Sequence, residues 1–209
     1  GNAEVNTRRL RRNATSVPHI KLQNRSLVSH CGVSGDTLIF QLKHHRTKFP
    51  TMLEINWDRK AKAYILKSAV TLPVSRETLF DFFSDAFQLE QITPPLLQFK
   101  VLTPPPINIQ AGTLIEYKLK LRGFPIRWRT EISTWDPPFS FTDRQLKGPY
   151  YLWEHLHTFH DTPNGTVVND TVKYRVPGGR LVHALMVKND LMTIFGYRQS
   201  CMQEIFATG

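Results

Sequence analysis

Trp153, His155, His157 and Phe159 occupy alternate positions of one segment. In an extended chain all four therefore share a face. Two imidazoles two residues apart, with Asp170 in the segment that follows, have the types for several kinds of chemistry. A His-x-His pair with a carboxylate has the donors of a zinc site. Such pairs are common by chance, however, and the sequence supplies no clear fourth ligand, so no metal is expected. A His–Asp pair suits general acid/base catalysis, with His155 or His157 as base and Asp170 orienting it. The same groups could orient a ligand without turnover, satisfy one another in a structural network, or lie on the outer face. These readings stay open here. Tyr117 and Tyr174 would add hydroxyls and Gln145 an amide. Neither a Ser-His-Asp order nor a glycine-rich phosphate loop stands out. No nucleophilic role is read for Cys31 or Cys201, although His30 adjoins Cys31. No cofactor is expected.

The elements that position these residues can be read from Ala63 onward. Tyr64, Leu66, Ser68, Val70 and Leu72 alternate with Ile65, Lys67, Ala69 and Thr71, which predicts a first strand ended by Pro73. Ser75 is a good N-cap for a short helix carrying Leu79, Phe80, Phe82 and Phe83. A second short helix is expected over Ala86–Ile92, before Pro94-Pro95. Six strand patterns follow. Phe99 and Val101 mark the first, and Ile115, Tyr117, Leu119 and Leu121 one face of the second. Ile126, Trp128, Thr130 and Ile132 mark the third. Phe139, Phe141, Asp143 and Gln145 share a face of the fourth. The Trp153 segment is the fifth, and Asn164-Gly165 turns the chain into the sixth, where Asp170, Val172 and Tyr174 share a face. After Pro177-Gly178-Gly179 the period becomes helical. Val182, Leu185, Met186, Met192, Phe195, Met202 and Phe206 form a broad apolar stripe, with Arg198 off it.

One long helix after a run of antiparallel strands is expected to lie across the concave face of the curved sheet and enclose a space. Lys118, Lys120, Arg122, Arg127 and Arg129 fall on outward faces, where a solvated sheet surface is the plain reading and an anionic membrane or nucleic-acid surface the sharper one. Glu116 and Glu131 dilute that field, and nothing resembles a single-strand nucleic-acid platform.

The chain has 209 residues, 41% hydrophobic and 21% charged, enough for one domain with a core. Its net charge of +10 is uneven. Nine basic and two acidic side chains precede Met52, against eighteen and fifteen after it. Residues 1–51 show no sustained period apart from a possible strand at Thr37–Leu42, and are expected to form a basic, disordered extension. That extension reads as a solvated tail, as a stretch upstream of a start at Met52, or as a targeting segment built on Arg8, Arg9, Arg11 and Arg12. No apolar run reaches membrane-spanning length, no secretion signal is visible, and two cysteines make no disulfide framework. A cytoplasmic protein is expected.

The segments Ile92-Thr-Pro-Pro95, Gly123-Phe-Pro-Ile-Arg-Trp128, Gly148 to Phe159, Tyr174-Arg-Val-Pro-Gly-Gly179 and Ile194-Phe-Gly-Tyr-Arg198 resemble the START-like or SRPBCC superfamily of Bet v 1-like helix-grip domains. Within it they are similar to a bacterial polyketide cyclase/dehydrase-like, ligand-binding branch. The resemblance covers about residues 60–207. It implies an α+β helix-grip fold: a curved seven-stranded antiparallel sheet around a long C-terminal helix, with two short helices after the first strand. It also implies an internal cavity, but no particular ligand. The expected occupant is a hydrophobic small molecule or lipid, with transient membrane contact possible and no nucleic acid. The expected wall comprises Tyr117, Leu119, Trp128, Phe141, Gln145, Trp153, His155, His157, Phe159, Asp170, Tyr174, Met192 and Phe195. A polyketide cyclase/dehydratase-like enzyme and an interaction module with a filled core are the alternatives.

Overall fold

Inward-pointing Tyr64, Leu66, Ser68, Val70 and Leu72 make one face of the second strand of an eight-stranded sheet. The structure, a computed structural model, describes residues 51–206. The Thr37–Leu42 segment, Cys31 and the basic run at Arg8–Arg12 lie outside the described residues. All strand pairs are antiparallel, in the order β1-β2-β8-β7-β6-β5-β4-β3. The strands are β1 Thr51–Asp58, β2 Ala63–Leu72, β3 Lys100–Val101, β4 Leu114–Leu121, β5 Phe124–Asp136, β6 Ser140–Lys147, β7 Leu152–Thr162 and β8 Gly165–Arg175. The sheet is not closed, and the α+β helix-grip architecture is the expected one. The strand count differs from the expected seven. β1 is an additional edge strand paired with β2 along its whole length. Its inward residues Leu53 and Ile55 are only half-buried, the weak pattern of an edge.

Two short helices, α1 Arg76–Phe83 and α2 Gln88–Gln91, follow β2. Ser75 caps α1 by accepting from the Thr78 amide. The C-terminal helix is continuous but not uniform. It comprises α3 Gly179–Val182, a π-helical turn at His183–Val187, and α4 Lys188–Phe206. The expected apolar stripe holds only along α4, where Leu191, Phe195, Cys201 and Met202 are buried. Leu185 and Met186 turn outward, and His183 turns inward against Tyr64. Gln199 reaches across to β1 and β2, its Nε2 lying 2.8 Å from the Met52 carbonyl and 3.1 Å from Ser68 Oγ.

The core falls into two apolar clusters. One gathers Phe80, Phe141 and Phe159 beneath α1. The other gathers Tyr64, Trp153, Tyr174 and Phe195 beneath the start of the helix. The basic outer face is partly neutralised in place, since Arg129 pairs with Glu116 and Arg144 with Glu131. Among the described residues no helix is long and apolar enough to cross a membrane.

Candidate functional site

Between sheet and helix lies a cavity of about 180 Å³. Apolar cavities of roughly 150 Å³ are known to admit benzene. The enclosed space therefore suits a small ring or short chain without rearrangement. Of the expected wall residues, Tyr117, Leu119, Trp128, Phe141, Trp153, His155, His157 and Phe195 line it. The other five sit elsewhere. Gln145 holds the β6–β7 turn, donating to the Tyr150 carbonyl at 2.7 Å. Phe159 packs under Phe80 and Phe83. Tyr174 meets His183, with its hydroxyl 2.9 Å from Nε2, and Met192 is a half-buried helix residue outside the wall. Asp170 lies behind the histidines. Sequence reasoning missed the polar wall residues Asp85, Gln88, Thr93, Thr130, Asp143 and Arg198, of which Asp143 and Arg198 belong to the charged group. Asp143 shares the inward face of β6 with Phe141, and that alternation was the available signal.

The strand registers assemble the polar end. His155 stands opposite Asp143 across β6–β7, and His157 stands opposite Asp170 across β7–β8. Each imidazole is also diagonal to the other carboxylate, within reach of a long side chain. The result is a cycle. His155 Nε2 is 3.1 Å from Asp170 Oδ1 and its Nδ1 is 3.5 Å from Asp143 Oδ2. His157 Nε2 is 3.2 Å from Asp143 Oδ2, and its Nδ1 is 2.8 Å from Asp170 Oδ1. The last contact is close in distance but off the direction of a hydrogen bond, which leaves that nitrogen without a formal partner. The two rings lie 3.8 Å apart between centroids.

Electrostatics divides the pair. Burial, reinforced by His157, pushes the His155 pKa down, so His155 is neutral near neutral pH. For His157 burial also opposes the charge, but hydrogen bonds to Asp143 and Asp170 outweigh it and raise the pKa. Asp170 is fully enclosed, which alone would raise its pKa; its two histidine partners instead hold it far below the usual carboxylate range. Across the cavity, burial lowers the Arg198 pKa while Asp170 and Asp143 support its charge. Among the described residues Arg198 makes no ion pair and its Nε has no hydrogen-bond partner, and its guanidinium sits 5.0 Å over the Phe195 ring. Part of its surface faces the cavity, so a ligand oxygen could meet donors that the protein leaves unmet. Burial drives the Tyr117 hydroxyl pKa up, keeping it a neutral donor.

One donor atom each from Asp143, His155 and His157 lies within 4.8 Å of the others, three of the four positions a tetrahedral metal needs. Both nitrogens of both rings already face carboxylates, however. A metal or a substrate proton would have to displace one of those contacts. Within the cycle Asp143 is the most accessible member, with 18% of its side chain accessible against 6% for each histidine and 2% for Asp170.

The family model described as polyketide cyclase / dehydrase and lipid transport matches residues 72–190. Among solved structures, protein Ms6760 from Mycobacterium smegmatis superposes with a TM-score of 0.56 at 17% identity, over 75% of this chain and 99% of that one. Protein CV1439 from Chromobacterium violaceum gives 0.56 at 11% identity, over 69% and 99%. The Bet v 1-like Ara h 8.0201 gives 0.50 at 16% identity, over 68% and 99%. At these identities the likeness is one of fold alone. No curated protein matches the sequence.

Proposed function

As this chain belongs to the polyketide cyclase / dehydrase and lipid transport family of the SRPBCC, Bet v 1-like superfamily, we propose that it binds a small hydrophobic molecule between sheet and helix and carries or presents it without turnover. The observation that carries this reading is the composition of the cavity wall. It is mostly aromatic and aliphatic, with Asp85, Gln88 and Thr93 from the α1–α2 segment, Thr130 from β5, and a polar group formed by Asp143, His155, His157, Tyr117 and Arg198. An apolar body with one oxygen-bearing end is the complement of such a wall, and the unmet donors of Arg198 favour an acceptor oxygen there. Binding is preferred to catalysis because both histidines are buried and held against Asp143 and Asp170, each with one nitrogen hydrogen-bonded to a carboxylate. The test is native mass spectrometry of protein purified from its own host, followed by organic extraction, then a thermal-shift screen of small aromatic and aliphatic compounds. A retained apolar compound whose affinity falls on Trp153→Ala and on Phe195→Ala supports the reading. Affinity untouched by both substitutions overturns it.

A second reading rests on the buried charge network. Neutral His155 could remove a proton from carbon beside a carbonyl, held in place by Asp170, and return it to a departing hydroxyl that leaves as water. That enzyme predicts that His155→Ala abolishes turnover while ligand binding survives.

A further inference from the structure

Antiparallel pairing puts four chain reversals at one end of the sheet: β1–β2 at 59–62, β4–β5 at 122–123, β6–β7 at 148–151, and the exit from β8 into the helix. That end carries four of the five most exposed large apolar side chains among the described residues. Phe124 is 72% exposed, Tyr151 74%, Leu181 69% and Leu185 67%. They come from three of the reversals, so nothing local to one loop accounts for them. The charges at this end are mostly basic. The β1–β2 turn carries exposed Arg59, Lys60 and Lys62, and the strand ends add Lys120, Lys147 and Arg175. Arg180 and Lys188 on the helix complete the rim. Acids here are already occupied. Asp58 accepts the Lys60 and Ala61 amides, and Asp190 takes both prongs of Arg122 at 3.0 Å. The opposite end is acidic, with Glu77, Asp81 and Asp85 on and after α1, and Asp136 and Asp161 at the turns.

We propose that this end of the domain docks on the surface of an anionic lipid bilayer. Apolar tips inside a basic rim match the two layers of such a surface: phosphate and carboxylate headgroups outside, acyl chains beneath. The tyrosine at 151 suits the boundary between them. Leu181 and Leu185 have no counterpart on a nucleic acid, which offers phosphates and stacking faces. Among the described residues no helix is long and apolar enough to cross the bilayer. The cavity reaches the same end, where Leu121, Tyr150 and Leu191 belong to its wall, so docking brings the cavity up to the acyl chains. The docking surface itself stands independently of whether the cavity holds a ligand.

The test is flotation of the full chain with vesicles of phosphatidylcholine alone and of phosphatidylcholine with phosphatidylserine. All proteins carry Arg8, Arg9, Arg11 and Arg12→Gln, which removes four of the nine cations before Met52 and leaves the same background in every comparison. Binding to the anionic vesicles, weakening as salt rises, is expected. Arg180→Glu with Lys188→Glu should lower partitioning more than tenfold, from about fivefold per cation removed near the surface. Phe124→Ser with Leu185→Ser should lower it by about tenfold while leaving the melting temperature within a few degrees, because both side chains are exposed. Asn108→Asp with Gln110→Glu, a net loss of charge in the loop before β4 at the other end, should change it less than twofold. Unchanged partitioning in the end variants, or equal loss in that control, overturns the proposal. Tighter binding to DNA than to anionic vesicles, insensitive to Phe124→Ser with Leu185→Ser, also overturns it, as a polyanion surface without insertion.

Discussion

His157 Nδ1 lies 2.8 Å from Asp170 Oδ1, directly opposite it in the β7–β8 register, and both groups are buried. The same carboxylate oxygen is 3.1 Å from His155 Nε2. One acidic side chain thus anchors two imidazoles at the polar end of the cavity.

Asp170→Asn is therefore expected to destabilise the domain by about 3 kcal/mol at pH 7, the scale of removing one partner from a buried charged pair. Because the folded Asp170 is held well below its ordinary 3.8, its contribution is complete above that value. It is lost as pH falls toward the folded value. The gap between parent and variant in urea unfolding should then be constant from pH 5 to 7 and shrink below pH 4. A gap that is constant down to pH 3 would refute the role given to Asp170.

His155 and His157 should titrate on opposite sides of their ordinary 6.5, followed as separate imidazole resonances by NMR. His157 keeps its proton in the folded state, so its contribution is full below 6.5 and lost as pH rises through its folded value. His155 sheds its proton on folding, so its contribution is full above 6.5 and lost as pH falls toward its folded value. Together the pair stabilises most near pH 6.5. His183, pushed down by burial and then by Lys188, steepens the acid side. Coincident titration of residues 155 and 157 would mean that the carboxylates do not distinguish them.

Most of the sheet was readable in the sequence because its inward face alternates strictly: Tyr64 to Leu72, Trp153 to Phe159 and Val168 to Tyr174 each keep period two. β1 was not, since an edge strand over solvent buries little and its alternation of Leu53, Ile55 and Trp57 is shallow. The helix stripe misled at Leu185 and Met186 because a π-helical turn rotates the chain between α3 and α4, and periodicity carries no mark of that rotation. Asp170 was placed near the histidines from strand order alone. Asp143 and Arg198 were passed over because charge on an inward face reads first as a break in the apolar pattern. Tyr174 looked like wall because wall and packed core share one face of a strand; only the path of the helix separates them.

Gly196→Ala is expected to stabilise the domain by about 0.5–1 kcal/mol. A glycine inside a helix costs backbone entropy on that scale relative to alanine. A Cβ at residue 196 would have as its nearest neighbour Leu53 Cδ2 at 4.0 Å, an ordinary contact. The check is thermal and urea unfolding of the single variant, with a loss of stability as the contrary result.

Gln199 is the polar clasp between the helix and the edge of the sheet. Its Nε2 lies 2.8 Å from the Met52 carbonyl, 3.1 Å from Ser68 Oγ and 3.2 Å from the Ala69 carbonyl, and Met52 and Ala69 are themselves register partners across β1–β2. Replacing the amide by leucine keeps the volume but leaves buried acceptors unmet, at a cost of about 1–3 kcal/mol. The loss should be local, since β1 is held on one side only, by β2, and by the helix above it. Hydrogen exchange in Gln199→Leu is expected to accelerate at the amides of 51–58 while those of β7 keep their protection relative to global stability. Uniform acceleration across β1 and β7 would instead make the clasp a general part of the core.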